Sequence, residues 1–355
     1  MSSIELKNVS TIFSLEKVNL KINDGELMVV LGPTGAGKST ILNVIAGLEE
    51  YQGSVCFDDQ PVDDLSVQGR NIGYLFQDLC LFPHMSVFNN VAFALGRLNI
   101  SKSEIKTKVE EILGLLGIVH LKDRYPKNLS GGEKQRAALA RALVGNPRIL
   151  LFDEPMSSLD NRTSKNLIME VHYLLKKLGI TTIYVTHNFY EAEKMADRVV
   201  ILENGHIEQI GSIEDIFFNP TERVSEFIGT PNILYCDQSY PINHGLRIAK
   251  CGDISLVMSD EGYEVKRIAI LPEDLYITSK QPSGLDINTV QGVLTDSVEL
   301  SFAFLCSVQV GDKILKVKLP KESYYSMYLD IGKKVWLVIN LRKIRITACA
   351  NFGVA

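Results

Sequence analysis

The chain contains 355 residues, a length that favours two domains over one. Hydrophobic residues make up 46% of the sequence and charged residues 22%, and the net charge of −5 argues against a dedicated nucleic-acid binder, because phosphate contacts need a basic face. No apolar run approaches the roughly 20 residues that span a bilayer, and the first residues lack the pattern of a signal peptide. We therefore expect neither an integral membrane protein nor an exported one.

Up to about residue 230, apolar strand-like runs alternate with amphipathic helical stretches. This alternation predicts a largely parallel sheet with helices on its faces. The clearest strand–helix pairs are Leu27–Leu31 with Lys38–Ala46, residues 149–152 with Asn161–Leu178, and Thr181–Val185 with Phe189–Met195.

Residues 84–145 have an almost purely helical pattern, which predicts a helical subdomain inserted into the sheet domain. Within it, Ser101 and Glu104 form a capping-box pattern at the start of a helix that Gly117 ends. Further along the chain, Asn204-Gly205 between two apolar runs predicts a two-residue hairpin.

The pattern changes at a boundary near residues 229–231. From about 236 to 355, short strand-like runs are separated by Gly, Asp and Pro. We expect a small closed barrel there, since closure leaves no exposed sheet edge. The predicted strands are residues 254–258, 263–270, 314–319 and 335–339.

The six cysteines are scattered along the chain and form no CxxC pair. This spacing suits neither a zinc site nor a disulfide framework. We expect reduced, mostly buried thiols in a cytoplasmic protein at Cys56, Cys80, Cys236, Cys251, Cys306 and Cys349.

The pattern GxxxxGK[ST] indicates a phosphate-binding loop, and it connects the strand to the helix in the first predicted strand–helix pair. Its glycines allow backbone N–H groups to surround phosphate oxygens, Lys38 can reach the β- and γ-phosphates, and the Ser39 hydroxyl can ligate Mg²⁺. The alternative is a glycine-rich turn with a solvated lysine. The predicted nucleotide-binding residues of this loop are Gly32, Pro33, Thr34, Gly35, Ala36, Gly37, Lys38, Ser39 and Thr40.

Two adjacent acids follow the apolar run at 149–152. Asp153, at the carboxyl end of a buried strand, is placed to hold Mg²⁺ directly or through water. Glu154 is then the residue that polarises an attacking water as general base. The alternative is that the two acids cap the next helix.

A second phosphate cradle is predicted at Ser130-Gly131-Gly132-Glu133, where a hydroxyl and two glycines open a helix. Together with Leu129, this segment resembles the LSGGQ signature of ATP-binding cassette (ABC) ATPases, and it precedes Asp153 by the spacing that this family uses. Two cradles in one chain suggest a head-to-tail homodimer in which each signature faces the partner's phosphate loop. Glu133 replaces the usual glutamine, a change expected to leave the N–H and hydroxyl donors intact; an ordinary helix start is the alternative.

The resemblance extends to other positions. Gln77 matches the loop glutamine that senses Mg²⁺ and the attacking water, and Asp160 lies in the loop that crosses the dimer interface. His187 matches the switch histidine that contacts the γ-phosphate. Phe13 is a candidate for the aromatic ring that stacks on adenine, with a core phenylalanine as the alternative.

The resemblance implies specific roles for these residues. Glu154, His187, Lys38 and Gln77 would be catalytic. ATP would be bound by Phe13, residues 32–40, Ser130, Gly131, Gly132, Glu133 and Asp160, and Mg²⁺ by Ser39, Gln77 and Asp153.

The implied fold is an α/β P-loop NTPase (ABC ATPase) domain at residues 1–230, with the helical subdomain at about 84–145. A small all-β barrel, OB-like (TOBE), would follow at 236–355 and serve regulation or dimerisation. Residues 267–274 are similar to the "RPE" segment of that domain in importer ATPases, although Leu271 stands where the segment has arginine.

The single phosphate loop and the short interval before the signature favour a transporter subunit over relatives that act on nucleic acid or ribosomes. We expect an importer ATPase at the cytoplasmic face of the membrane, with two integral membrane permease subunits, a solute-binding protein and a second copy of this chain as partners. The phosphate loop, the short segment after Phe13 and residues 231–234 resemble the molybdate/tungstate group, and residues 123–126 resemble the sulfate group. We therefore expect a small oxyanion such as molybdate, tungstate or sulfate as cargo. Ferric iron, polyamine or sugar import is the alternative, and no nucleic-acid partner is expected.

Overall fold

A computed structural model describes residues 2–96, 100–282 and 287–348. The chain divides into two compact units, Met1–Ile216 and Phe217–Ala355. This division lies before the expected boundary at residues 229–231, so the domain limits of 1–230 and 236–355 stay a prediction.

The first unit begins with strands and a helix around the predicted phosphate loop: β1 (Ile4–Ser10), β2 (Val18–Ile22), β3 (Leu27–Leu31), α1 (Lys38–Ala46), β4 (Gln52–Phe57), β5 (Gln60–Pro61) and β6 (Ile72–Leu75). It continues with α2 (Val87–Phe93), α3 (Lys102–Leu115), α4 (Gly131–Leu143), β7 (Ile149–Asp153), α5 (Asn161–Leu178), β8 (Thr181–Val185), α6 (Phe189–Met195), β9 (Arg198–Glu203) and β10 (His206–Gly211). The division between the units falls within α7 (Ile213–Phe218).

Two sheets build the first unit. One is antiparallel, in the order β2-β1-β4-β5, and the other has the order β10-β9-β3-β8-β7-β6. Within the second sheet every pairing is parallel except that of β9 with β10. Strands β3 and β8 are buried along their whole length, as expected for the centre of a parallel sheet covered on both faces.

Helix α1 lies in the core between these two sheets. Its apolar residues, including Ile41 and Ile45, belong to one buried cluster with Leu6 and Val55 of the antiparallel sheet and Ile183 of the parallel one. The loop that precedes α1 is therefore supported on both sides by packed strands.

The predicted helical segment contains α2, α3 and α4, with short 3₁₀ turns at Val119–Leu121 and Pro126–Asn128. The capping box at the start of α3 is confirmed: Ser101 N donates to Glu104 Oε2 at 2.8 Å and Glu104 N donates to Ser101 Oγ at 3.2 Å. The hairpin at Asn204-Gly205 is also confirmed, because β9 and β10 pair directly across it.

The second unit is mostly β-structure. After α8 (Glu222–Ile228), its elements are β11 (Asn232–Tyr235), β12 (Gln238–Ile242), β13 (Leu246–Cys251), β14 (Ile254–Ser259), β15 (Arg267–Ile270), β16 (Leu275–Thr278), β17 (Thr289–Glu299), β18 (Ala303–Val310), β19 (Lys313–Pro320), α9 (Lys321–Ser326), β20 (Lys334–Ile339) and β21 (Arg345–Thr347).

Its largest sheet has the order β16-β20-β17-β18-β19 and encloses a separate apolar core. The outer strands β16 and β19 lie close to each other without a hydrogen-bonded ladder between them. This curled sheet agrees with the expected small OB-like barrel. Two three-stranded sheets, β11-β15-β21 and β12-β13-β14, accompany it.

One predicted strand is shorter than expected. Of residues 263–270, only Arg267–Ile270 pair as β15. Val265 N instead donates to the Ser239 side-chain hydroxyl at 2.7 Å, so this backbone donor is satisfied outside a strand ladder.

Candidate functional site

The carboxyl ends of β3, β8 and β7 meet at one edge of the parallel sheet, because these strands are neighbours in that order. The phosphate loop follows β3, Asp153 ends β7 with Glu154 next to it, and His187 lies two residues beyond β8. In open α/β sheets this edge is where ligands bind.

The phosphate loop has two positions, Gly32 and Gly37, at which the structure requires glycine. A Cβ atom at Gly32 would lie 2.1 Å from the carbonyl oxygen of Leu202, closer than any real contact. Gly37 has φ of +99°, a region that favours glycine. Gly37 is also the N-cap of α1, so no side chain covers the start of that helix.

Lys38 is bent back into this loop. Its Nζ donates to the carbonyl oxygens of Gly32 at 3.0 Å and Pro33 at 2.9 Å, and it lies 4.0 Å from Glu154 Oε1. Burial lowers the pKa of Lys38, while Glu154 and Asp153 act in the opposite direction. The ammonium group is thus held among backbone oxygens at the position where the motif requires a phosphate-binding cation.

Ser39 and Asp153 are joined directly. The Ser39 hydroxyl donates to Asp153 Oδ1 at 2.8 Å, linking the first residues of α1 to the end of β7. Burial raises the pKa of Asp153, and the hydrogen bond from Ser39 partly offsets this. A hydroxyl and a carboxylate side by side are the oxygen ligands that Mg²⁺ prefers.

Glu154 and His187 form the third contact of the site. His187 Nδ1 lies 3.1 Å from Glu154 Oε2, and Glu154 N donates to the Val185 carbonyl oxygen at 3.0 Å. Glu154 has φ of +43°, a left-handed conformation that is strained for a residue with a Cβ atom and is often found at functional sites. The carboxylate is thereby turned towards the histidine at the end of the neighbouring strand.

The predicted signature forms the start of α4. Ser130 N donates to Glu133 Oε2 at 2.7 Å, and Glu133 N donates to Ser130 Oγ at 3.4 Å, which completes a capping box. The Glu133 carboxylate thus binds the N–H group of Ser130, while the N–H group of Glu133 itself is bonded to the Ser130 hydroxyl. That the change from glutamine leaves the donors for a nucleotide intact stays a prediction. The backbone bond from Ser130 lowers the pKa of Glu133, which keeps it charged.

The two signature glycines serve close packing as well. A Cβ atom at Gly131 would lie 2.8 Å from Leu159 Cδ2, and one at Gly132 would lie 3.3 Å from Thr163 Cγ2. Asp160, between these partners, accepts a hydrogen bond from Thr163 N at 3.0 Å. The signature and the loop before α5 thus form one packed surface.

The comparisons with known proteins agree with this arrangement. The family model described as ABC transporter matches residues 15–157. The molybdate/tungstate import ATP-binding protein WtpC of Pyrococcus horikoshii is 34% identical over 336 residues, which cover 94% of this chain and 96% of that protein. The chain belongs to the ABC transporter ATPases.

Two further similarities cover part of this ABC ATPase. The sulfate/thiosulfate import ATP-binding protein CysA of Pectobacterium atrosepticum is 44% identical over 247 residues, covering 67% of this chain and 75% of that protein. A solved dimeric ATP-binding cassette in a post-hydrolysis state, bound to ADP and Pi, is 32% identical with a TM-score of 0.54 and covers 59% of this chain and 98% of that chain. As a member of this family, the chain is an ATPase that binds ATP and couples its hydrolysis to transport.

A buried acid behind His187 was not found from the sequence. Glu191 in α6 accepts hydrogen bonds through Oε2 from the hydroxyls of Tyr184 and Thr186, each at 2.8 Å. The Thr186 hydroxyl in turn accepts from Asn188 N at 3.0 Å. These bonds fix the backbone on both sides of His187, and burial raises the pKa of Glu191. The sequence contains one signal for this residue, namely an acid four residues after the histidine, at the start of α6.

Two predicted site residues of this ABC ATPase make fewer contacts. Gln77 is exposed after β6. Phe13 is 93% exposed, so it is not a core phenylalanine. It lines an open groove of about 530 Å³ together with Gly35, Asn204 and Gly205, beside the phosphate loop.

Among the residues that the structure describes, no helix has both the length and the apolar character required to cross a bilayer.

Proposed function

We propose that this ABC ATPase energises the import of a small oxyanion, with molybdate, tungstate or sulfate as the cargo. The observation that carries the proposal is the similarity to a molybdate/tungstate import protein over 94% of this chain, which includes the C-terminal unit.

ATP is bound in this proposal by the loop Gly32–Thr40 and the start of α1. Lys38 exchanges the carbonyl oxygens of Gly32 and Pro33 for phosphate oxygens, since an ammonium binds charged oxygens more strongly than neutral ones. Phe13 offers its exposed ring to the adenine from the groove beside the loop.

The donor set at the sheet edge fits Mg²⁺. Ser39 and Asp153 would supply the protein oxygens, with Gln77 as a further candidate, and few protein ligands are typical because substrate phosphates complete the shell. When bound, the ion neutralises phosphate charge.

Hydrolysis is assigned to Glu154 and His187. Glu154 accepts a proton from the attacking water and orients it as general base. His187, held by Thr186 and Asn188 against the buried Glu191, contacts the γ-phosphate. The 3.1 Å contact between the histidine and Glu154 supports a shared role at the same phosphate.

The second phosphate cradle is assigned to a partner copy of the chain. Ser130, Gly131 and Gly132, with Glu133 and Asp160 beside them, would contact the nucleotide held in the partner's phosphate loop. The solved relative with ADP and Pi is a dimer, which supports this assignment.

Coupling to the membrane is assigned to a groove on the first unit that contains the aromatic side chains of Tyr74, Phe76, Phe82 and Phe93. Arg141 lies 5.5 Å from the centre of the Phe82 ring and donates to the Leu79 carbonyl oxygen at 2.7 Å, which stiffens one wall. An apolar groove of this kind accepts an amphipathic helix. We assign it to a helix of the permease subunits and propose that the chain works at the cytoplasmic face of the membrane.

The cargo is tested with the chain, its co-purified membrane subunits and their solute-binding protein in proteoliposomes that contain ATP. Uptake of labelled molybdate, tungstate or sulfate is expected with the wild-type chain, and not with Glu154→Gln. Uptake of ferric iron, a polyamine or a sugar in place of the oxyanions would overturn the cargo, and failure to recover any membrane subunit would overturn the transport role.

A further inference from the structure

Two cysteines in the C-terminal unit are in direct contact. The sulfur atoms of Cys236 and Cys251 lie 3.1 Å apart. Cys236 directly follows β11, and Cys251 is the last residue of β13. Cys251 is fully buried whereas Cys236 is partly exposed, so solvent reaches the pair from one side.

The backbone around both residues is held in place by hydrogen bonds. Cys236 N donates to the Lys266 carbonyl oxygen at 2.9 Å, and Asp237 N donates to the Lys250 carbonyl oxygen at 2.8 Å. The Asp237 carboxylate then accepts from Gly252 N at 2.7 Å. Since a disulfide bond is about 2.0 Å long, roughly 1 Å of side-chain movement brings the sulfurs to bonding distance.

We propose that Cys236 and Cys251 form a reversible disulfide that joins the strand end of β11 to that of β13. These strands belong to different three-stranded sheets, so the bond ties the two sheets together. Both cysteines are free thiols in the structure, as expected, and the proposal concerns a second, oxidised state of this pair. The site is independent of ATP binding and of the proposed cargo.

The oxidant belongs to the class of low-molecular-weight disulfides. The Cys236 thiolate attacks one sulfur of the oxidant and releases one thiol, which leaves a mixed disulfide on Cys236. The Cys251 thiolate then attacks the Cys236 sulfur and releases the second thiol. In total the pair loses two protons and two electrons, and the oxidant disulfide is reduced to two thiols.

The surroundings of the two thiols affect the two steps differently. The contact with Cys251 and burial raise the pKa of Cys236 well above its usual range, so loss of its proton limits the first step. The hydrogen bond from Cys236 lowers the pKa of the Cys251 thiol, and the positive charge of Lys313 acts in the same direction, which favours the second step. Cys306 in the same unit is fully buried and provides a thiol that should not react.

The test uses the full chain incubated with oxidised glutathione, then denatured, alkylated and digested without reduction for mass spectrometry. We expect a linked peptide that joins Cys236 to Cys251, with Cys306 fully alkylated, and loss of the link after dithiothreitol. Alkylation of both Cys236 and Cys251, or a lasting glutathione adduct on Cys236 in the wild-type chain, would overturn the proposal.

Variants separate the two steps. Cys251→Ser is expected to retain glutathione on Cys236, because the resolving thiol is gone, and Cys236→Ser is expected to leave Cys251 unmodified. A second readout needs no variant: the oxidised wild-type chain should unfold at a temperature higher by on the order of 10 °C in its C-terminal transition. An unchanged unfolding temperature in a chain shown to carry the disulfide would contradict the claim that the bond joins the two sheets.

Discussion

Helices α1 and α4 both begin with glycine-rich phosphate-cradle motifs, yet their first turns differ. At α1 the N-cap is Gly37, and the first turn carries a lysine and no acid. At α4 the N-cap is Ser130, and the carboxylate of Glu133 closes a capping box over the same kind of helix end. The start of α1 has no side-chain cap, whereas at α4 the N–H groups of Ser130 and Glu133 are already bonded within the chain.

This difference indicates that the two helix starts have different roles in binding ATP. A helix start without a capping side chain can bind phosphate directly through its backbone N–H groups and the helix dipole. At α4 an incoming phosphate must compete with a carboxylate that stays ionised because its pKa is lowered. We infer that α1 provides the primary ATP site and that the signature engages only when a partner brings a nucleotide against it.

The largest effect is expected when Glu154, the proposed general base, is changed. Glu154→Gln removes the group that takes a proton from water while it retains the size and the polar contacts of the side chain. Turnover of ATP should fall by about 10²–10⁴-fold, and ATP binding to the phosphate loop should persist. Steady-state hydrolysis and equilibrium nucleotide binding measure the two quantities separately.

A matched control for this variant is Glu110→Gln. Glu110 makes a surface ion pair with Lys122 at 3.1 Å and has no role in the proposed ATP site. The Glu110→Gln chain should therefore hydrolyse ATP at the wild-type rate. Turnover by Glu154→Gln within tenfold of the wild type would refute the general-base role.

A smaller effect is expected at the buried acid behind His187. Glu191→Ala leaves the Tyr184 and Thr186 hydroxyls without their shared acceptor, so that the histidine backbone loosens. The kcat for ATP should fall by about tenfold, with little change in KM, because the phosphate loop is intact.

Glu191→Gln distinguishes positioning from charge. Its amide oxygen can still accept from both hydroxyls, so kcat should return to near the wild-type value. If the glutamine variant is as slow as the alanine variant, the hydrogen bonds to Glu191 do not explain its role.

The smallest effect is expected at the capping acid of α4. Glu133→Gln retains an oxygen for Ser130 N and removes a negative charge from the positive end of the helix. ATP-dependent dimer formation should strengthen by about two- to five-fold, in line with a charge at a helix terminus. As a control, Glu104→Gln changes the equivalent capping box of α3 and should leave dimer affinity unchanged. Weaker dimerisation of Glu133→Gln would contradict the prediction, because it would show that the negative charge of Glu133 favours dimer formation.

Local motifs made much of the first unit predictable. The bounds of β3, α1, α5 and β8 agree with expectation, because buried apolar runs, the phosphate-loop pattern and a closing glycine such as Gly179 are signals carried by adjacent residues. The position of the site at one edge of the sheet could be predicted from the same signals, since parallel strands bring their carboxyl ends together. The capping box at Ser130 and Glu133 has the same Ser-x-x-Glu pattern that predicted the one at Ser101 and Glu104, so the sequence did contain a signal for it.

Contacts between distant groups were not predictable in this way. The bond from Val265 to Ser239 that shortens β15 joins segments far apart in the sequence. The contact between Cys236 and Cys251 likewise depends on the register of two sheets.

The most direct test of the two-cradle account is ATP-dependent dimerisation, measured by light scattering. The Glu154→Gln chain should be a dimer with ATP, and the same chain with Ser130→Arg added should bind ATP at its intact phosphate loop yet remain a monomer. A dimer of undiminished stability in the double variant would contradict the claim that each signature completes the partner's ATP site.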